Sequence, residues 1–142
     1  MKKYRDKILE GGNGLIDVAV PRQPKTSEER SRVIRTITAQ LEYVWDTYVA
    51  RTGRRVVMLG AGVASFAMVS LMKRRQEDVQ RLVSCVFLLQ VDREALPSVG
   101  SEFEDWYFKN TTVLVADSDP ALDCNMKCMG RVTSCRKYCQ SS

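Results

Sequence analysis

The sequence predicts an α/β domain: an open, mainly parallel sheet with flanking helices. Three observations predict it. Two strongly apolar runs, Val56–Gly60 and Leu82–Leu89, have strand length and are separated by a helical stretch. A third β-prone run, Thr111–Ala116, follows another helical stretch, so strand and helix alternate. The first run also passes through Gly60-Ala61-Gly62 straight into a helix, and strand–glycine turn–helix is where α/β proteins place their working groups.

The elements follow in order. Met1–Glu10 reads as a helix with a weak apolar face of Tyr4, Ile8 and Leu9, and Gly11-Gly12-Asn13-Gly14 ends it. Leu15–Val20 reads as a strand closed by Pro21. A start of this kind looks cut from the interior of a larger fold, truncated on its N-terminal side. Thr26 offers an N-cap, with Glu28 and Glu29 favourable against the helix dipole. The helix they open is expected from about Glu28 to Arg51, with Val33, Ile34, Ile37, Leu41, Val44, Trp45, Tyr48 and Val49 at helical spacing. Trp45 and Tyr48 are expected in the core.

After the glycine turn, Phe66, Val69 and Leu71 or Met72 give the next helix a face for the sheet. Lys73-Arg74-Arg75 suits a helix C-terminus; a nucleic-acid patch is the sharper reading of three weak signals. Asp78–Leu82 reads as a short amphipathic turn, and Leu82–Leu89 as a strand buried on both faces with Cys85 as a small core hydrophobe. Ser101–Phe108 reads as a short helix with a heavy aromatic face. The last strand ends in Asp117-Ser118-Asp119-Pro120.

At 142 residues the chain fits one domain. No apolar run approaches the roughly 20 residues that span a bilayer, and no apolar core follows the basic N-terminus. A soluble intracellular chain with no membrane partner is the expectation. Charge is unevenly spread: 15 Lys/Arg against 7 Asp/Glu over residues 1–75 (+8), 3 against 10 over 76–123 (−7), and 4 against none over 124–142 (+4). An acidic middle between basic ends can attract a basic partner, although solvated loops produce the same pattern. Histidine is absent, which excludes any Ser-His or Cys-His pair and any histidine metal ligand within the chain.

The glycine turn admits three chemistries. A nucleophile elbow of the α/β-hydrolase type, G-x-S-x-G, aligns on Gly60, Gly62 and Ala64, so glycine stands where the serine would be. Ser65 falls later, within the helix. Asp117 and Asp119 stand where such folds carry their acid, but no histidine follows. The elbow is therefore degenerate. A dinucleotide fingerprint fails at its third glycine position, Ser65, and Asp92 comes late for a ribose contact. The remaining reading, and the preferred one, is that small residues let the helix approach the sheet closely.

Cys124, Cys128, Cys135 and Cys139 form C-x3-C-x6-C-x3-C in a basic tail. Zinc knuckles favour C-x2-C and histidine partners, so no metal site is assigned. The tail, residues 124–142, is expected to be irregular, beside a domain at 1–123.

In sequence order stand G-L-I-D-V-A-V-P, L-E-Y-V-W-D-T-Y-V, V-V-M-L-G-A-G and E-D-W-Y-F-K-N-T-T-V-L-V. Together they resemble the C-terminal argonaute-binding-protein-two domain of fungal class II histone deacetylases, over roughly Tyr4–Asp123, and Gly130-Arg131-Val132 extends the likeness. The resemblance implies an α/β-hydrolase-like fold without hydrolase activity. It further implies a non-catalytic module that binds histones or other chromatin proteins, joins deacetylase complex subunits, forms a homodimer, and acts in the nucleus in transcriptional repression and gene silencing. It implies no cofactor for this domain, because zinc would belong to an adjoining deacetylase domain. Direct nucleic-acid binding is not expected. Within the acidic segment Glu77–Asp123, the residues expected to meet basic histone regions are Asp92, Glu94, Glu102, Glu104 and Asp105. The alternative is a degenerate hydrolase-like enzyme or small-ligand binder at the Gly60–Gly62 turn.

Overall fold

Four parallel strands form one sheet in the computed structural model, which describes residues 2–20, 24–89, 101–115 and 131–134. They are β1 (Val56–Ala61), β2 (Val83–Leu89), β3 (Thr111–Val115) and β4 (Arg131–Ser134), in the order β1-β2-β3-β4. Helices α1 (Lys2–Glu10) and α2 (Ser27–Val44) precede the sheet. Helices α3 (Val63–Arg74) and α4 (Gln76–Leu82) connect β1 to β2, and α5 (Ser101–Asn110) precedes β3. The fold is the open parallel α/β sheet with flanking helices that the strand–helix alternation predicts.

Strand order explains where the core lies. Parallel neighbours joined in sequence by right-handed crossovers put every connecting helix on the same face. Val86, Leu88 and Val113 point to that face and are fully buried, packed with Met68, Val69, Leu71 and Met72 of α3, Val79 and Leu82 of α4, and Phe103 and Tyr107 of α5. The opposite face carries Val57, Leu59, Cys85, Phe87, Leu89, Thr112 and Leu114, which are exposed or half-buried. Leu82–Leu89 is thus not buried on both faces as expected, and Cys85 lies on the less buried one rather than in the core.

Helix α3 is the centre of the packing, buried from Ser65 to Val69 and again at Leu71 and Met72. Its outer side meets α2. The Arg30 guanidinium lies 5.1 Å from the centre of the Phe66 ring, Arg74 donates to Glu42 at 2.8 Å, and Arg75 donates twice to Asp46 at 3.1 and 2.9 Å. These contacts occur in the same order along both helices, so α2 and α3 run parallel. Arg74 and Arg75, candidates for a nucleic-acid patch, are instead engaged in holding these helices together.

Thr26 caps α2 as the sequence predicts, its Oγ1 accepting from the Glu29 amide at 3.2 Å. The helix then widens into a π turn over Trp45–Val49, closed by the Ala50 amide on the Trp45 carbonyl at 2.8 Å. A π turn advances less angle per residue, so Trp45 and Tyr48 do not share a face. Trp45 is in the core, while Tyr48 is exposed and meets Tyr43 edge-on at 6.4 Å.

Two expectations about the chain's ends need correction. Leu15–Val20 is not a strand: it pairs with no strand among the described residues, and residues 16–19 instead line an open cleft beside Thr36, Ala39, Gln40, Tyr43 and Val44. Alternating apolar residues without an adjacent strand have no ladder to join. An Arg5–Asp17 ion pair links this segment to α1. At the other end, the tail expected to be irregular supplies β4, which pairs with β3 from Thr112↔Arg131 to Val115↔Ser134.

Candidate functional site

The turn between β1 and α3 has the geometry of an elbow and the chemistry of none. Gly62 adopts φ 56° and ψ −126°, a backbone state that side-chain-bearing residues rarely enter. Its amide donates to the Leu89 carbonyl at 2.9 Å, tying the turn to β2, and its carbonyl accepts from the Ser65 amide at 3.1 Å. A Cβ built on Gly62 would meet nothing within 4 Å. The nucleophile position is therefore open, and its backbone conformation, not crowding, calls for glycine.

Gly60 is glycine for the opposite reason. A Cβ there would stand 2.4 Å from Met68 Sδ, 3.3 Å from Ser65 Cα and 3.4 Å from Leu88 Cδ2. The missing side chain is what lets α3 lie directly on β1 and β2, as the close-approach reading of the turn expects. Ala64 is half-buried in the first turn of α3. Ser65 is fully buried and its Oγ has no hydrogen-bond partner. Among the described residues no base reaches this hydroxyl, and it lies within the helix rather than at the tip of the turn. Asp117 and Asp119 lie outside the described residues.

The second candidate is the acidic surface. Phe103 and Tyr107 bury one side of α5, with Trp106 stacked on Phe103 at 5.0 Å, and leave Asp105 exposed and Glu104 half-exposed. Exposed Lys109 follows one turn after Asp105. Glu102 is also on α5, whereas Asp92 and Glu94 lie outside the described residues, as do the four tail cysteines. Three of the five expected acids thus fall on one short helix. Among the described residues no cluster of three His, Cys, Asp or Glu side chains could hold a metal, and no helix is long and apolar enough to cross a membrane.

Sequence reasoning missed the ion-pair clamp between α2 and α3. Asp46 accepts both Arg75 hydrogen bonds, which hold its carboxyl below the usual carboxylate range against a small opposing effect of burial; the same bonds raise Arg75 further. The charges were visible in the sequence, but their pairing across 29 residues was not.

An α/β domain with an elbow-type turn and no nucleophile at its tip is the class that fold and site define. The chain belongs to the Arb2-like domain family, whose model matches residues 1–139 and so reaches into the cysteine-bearing tail. It is similar in structure to a histone deacetylase from Saccharomyces cerevisiae, with a TM-score of 0.76 at 24% identity. That likeness covers 94% of this chain and 56% of the yeast chain, so the domain corresponds to little more than half of that protein. A search of curated proteins gave no match.

Proposed function

We propose that this domain is a non-catalytic chromatin-interaction module of a class II histone deacetylase, acting in the nucleus in transcriptional repression and gene silencing. The observation that carries the reading is Arb2-like family membership across residues 1–139, joined to a fold shared with a histone deacetylase chain. Gly62 at the nucleophile position supports it, since the turn keeps an elbow's backbone without a reacting group. Its partners are histones or other chromatin proteins and deacetylase complex subunits. The domain needs no cofactor of its own and does not bind nucleic acid directly.

In this reading basic histone segments meet Asp92, Glu94, Glu102, Glu104 and Asp105. Attraction of this kind acts over about 10 Å at 0.1 M salt and fades as salt rises. The test is a pull-down of histones by the chain and by a variant with all five acids changed to lysine. Binding lost in the variant, and weakened by salt in the unmodified chain, is expected. Equal capture by both would remove the acidic surface from the proposal. Ester turnover by the purified chain that disappears in Ser65→Ala would overturn the non-catalytic reading itself.

A further inference from the structure

The turn that carries the chain from α2 into β1 sets a hydroxyl among cations. Residues 50–52 form a turn after the π segment, and residues 53–55 run on to β1 as neither helix nor strand. Thr52 is exposed, as are Arg51, Arg54 and Arg55 around it. Its Oγ1 donates to the Val49 carbonyl at 3.0 Å and accepts from the Arg54 amide at 3.4 Å. Both bonds lie at the surface, where water replaces them at small net cost. Gly53 has φ 61°, and a Cβ built on it would meet nothing within 4 Å. Glycine here lets the segment be drawn from the turn into an extended form.

A protein kinase takes its acceptor hydroxyl on an extended segment and reads the charges that flank it. Among the described residues, other hydroxyls near cations do not combine these features. Ser31 and Thr36 have arginine neighbours, but both lie inside α2 and donate one turn back, to the carbonyls of Ser27 at 3.1 Å and Arg32 at 3.0 Å. Thr26, next to Lys25, caps α2 through the Glu29 amide and precedes Glu28 and Glu29, the opposite charge. Ser84, three residues after Arg81, belongs to β2, and Arg81 is paired with Asp78.

We propose that Thr52 is a phosphorylation site for a kinase that selects arginine on both sides of its acceptor. Thr52 Oγ1 attacks the γ-phosphorus of a nucleoside triphosphate. The Oγ1–P bond forms, the bond from that phosphorus to the β,γ-bridging oxygen breaks, and the nucleoside diphosphate leaves. The hydroxyl proton passes to the kinase's catalytic aspartate. The product holds a phosphate of nearly two negative charges among three guanidiniums that can donate to its oxygens. Those pairs offset the lost Val49 bond and the unfavourable placing of an anion after a helix C-terminus. The charge of residues 51–55 falls from +3 to about +1, so a cationic surface becomes nearly neutral.

The full chain is incubated with magnesium, ATP and a Ser/Thr kinase that requires arginine beside its acceptor. Mass spectrometry of the chymotryptic fragment that follows Tyr48 locates the product. Phosphate mainly on Thr52 is expected, lost in Thr52→Ala and regained in Thr52→Ser, which keeps the hydroxyl. In R54A/R55A the initial rate should fall about tenfold or more, with circular dichroism showing the variant folded. A synthetic peptide of residues 46–58 should be modified too, and the same two substitutions in it repeat the charge test where folding plays no part. A peptide that is modified while the full chain is not would show that the fold withholds the hydroxyl, and would overturn the proposal. So would phosphate mainly on Ser31 or Thr36, incorporation unchanged in Thr52→Ala, equal rates without the two arginines, or no incorporation into chain and peptide alike.

Discussion

Gly60→Ala tests whether the glycine turn exists for packing. The added methyl would stand 2.4 Å from Met68 Sδ and 3.3 Å from the backbone at Ser65 Cα. Met68 is 4% exposed and methionine is adaptable, so the sulfur can swing aside, but the helix backbone has to give by a few tenths of an ångström. Overpacking of this kind costs about 1–3 kcal/mol. Removing a glycine from the unfolded chain returns about 0.5–1 kcal/mol. The net expectation is a destabilisation of about 0.5–2 kcal/mol, seen as a lower urea midpoint with unchanged slope and a fall in Tm of a few degrees. Met68→Ala alone should cost about 2–5 kcal/mol through its cavity. In the double variant the alanine at 60 occupies part of that cavity, so the combined loss should fall short of the additive value by about 1 kcal/mol. Strict additivity, or a Gly60→Ala variant as stable as the parent, would refute the close-approach argument.

Further outcomes separate the other features. Asp46→Asn removes the negative charge and one of the two oxygens that accept from Arg75, and because both groups are partly solvated the cost is about 0.2–1 kcal/mol. The Asp46 pKa is lower folded than unfolded, so its stabilisation is complete above the unfolded value of about 3.9 and is lost as pH falls through the folded value. Urea titrations of parent and variant should differ by a constant amount from pH 5 to 7 and converge in stronger acid. Ser65→Ala deletes a buried hydroxyl without a partner and should be neutral or stabilising by up to about 1–2 kcal/mol in the same titration. Gly62→Ser finds space but strains the backbone, costing about 1–3 kcal/mol, and should leave p-nitrophenyl acetate hydrolysis at the buffer rate.

Local signals in the sequence carried most of the fold. Thr26 caps α2, Gly11 and Gly12 end α1, and the apolar runs at Val56 and Leu82 become neighbouring parallel strands. What the sequence did not disclose depends on partners distant along the chain. Leu15–Val20 has a strand's composition but, among the described residues, no strand beside it. Residues Arg131–Ser134 are too few to show periodicity and become a strand only because β3 offers a ladder. Tyr48 leaves the core because of a single π turn, which a 3.6-residue period does not anticipate. At the candidate site, the elbow was legible because glycine and the absence of histidine are both plain in the letters. The distinct reasons for its two glycines, crowding at 60 and backbone angle at 62, required coordinates.

That distinction fixes how the surfaces and the turn can be told apart in experiment. Gly60 and Gly62 both serve the junction where β1 meets α3, and changes there should alter stability and leave binding intact in whatever fraction remains folded. Asp105 is exposed, and changes there should alter binding with stability nearly constant, since exposed charges away from good partners contribute little. The two classes should not mix. A Gly60→Ala chain that is fully folded under assay conditions yet no longer captures histones would move the interaction site from the acidic helix to the turn.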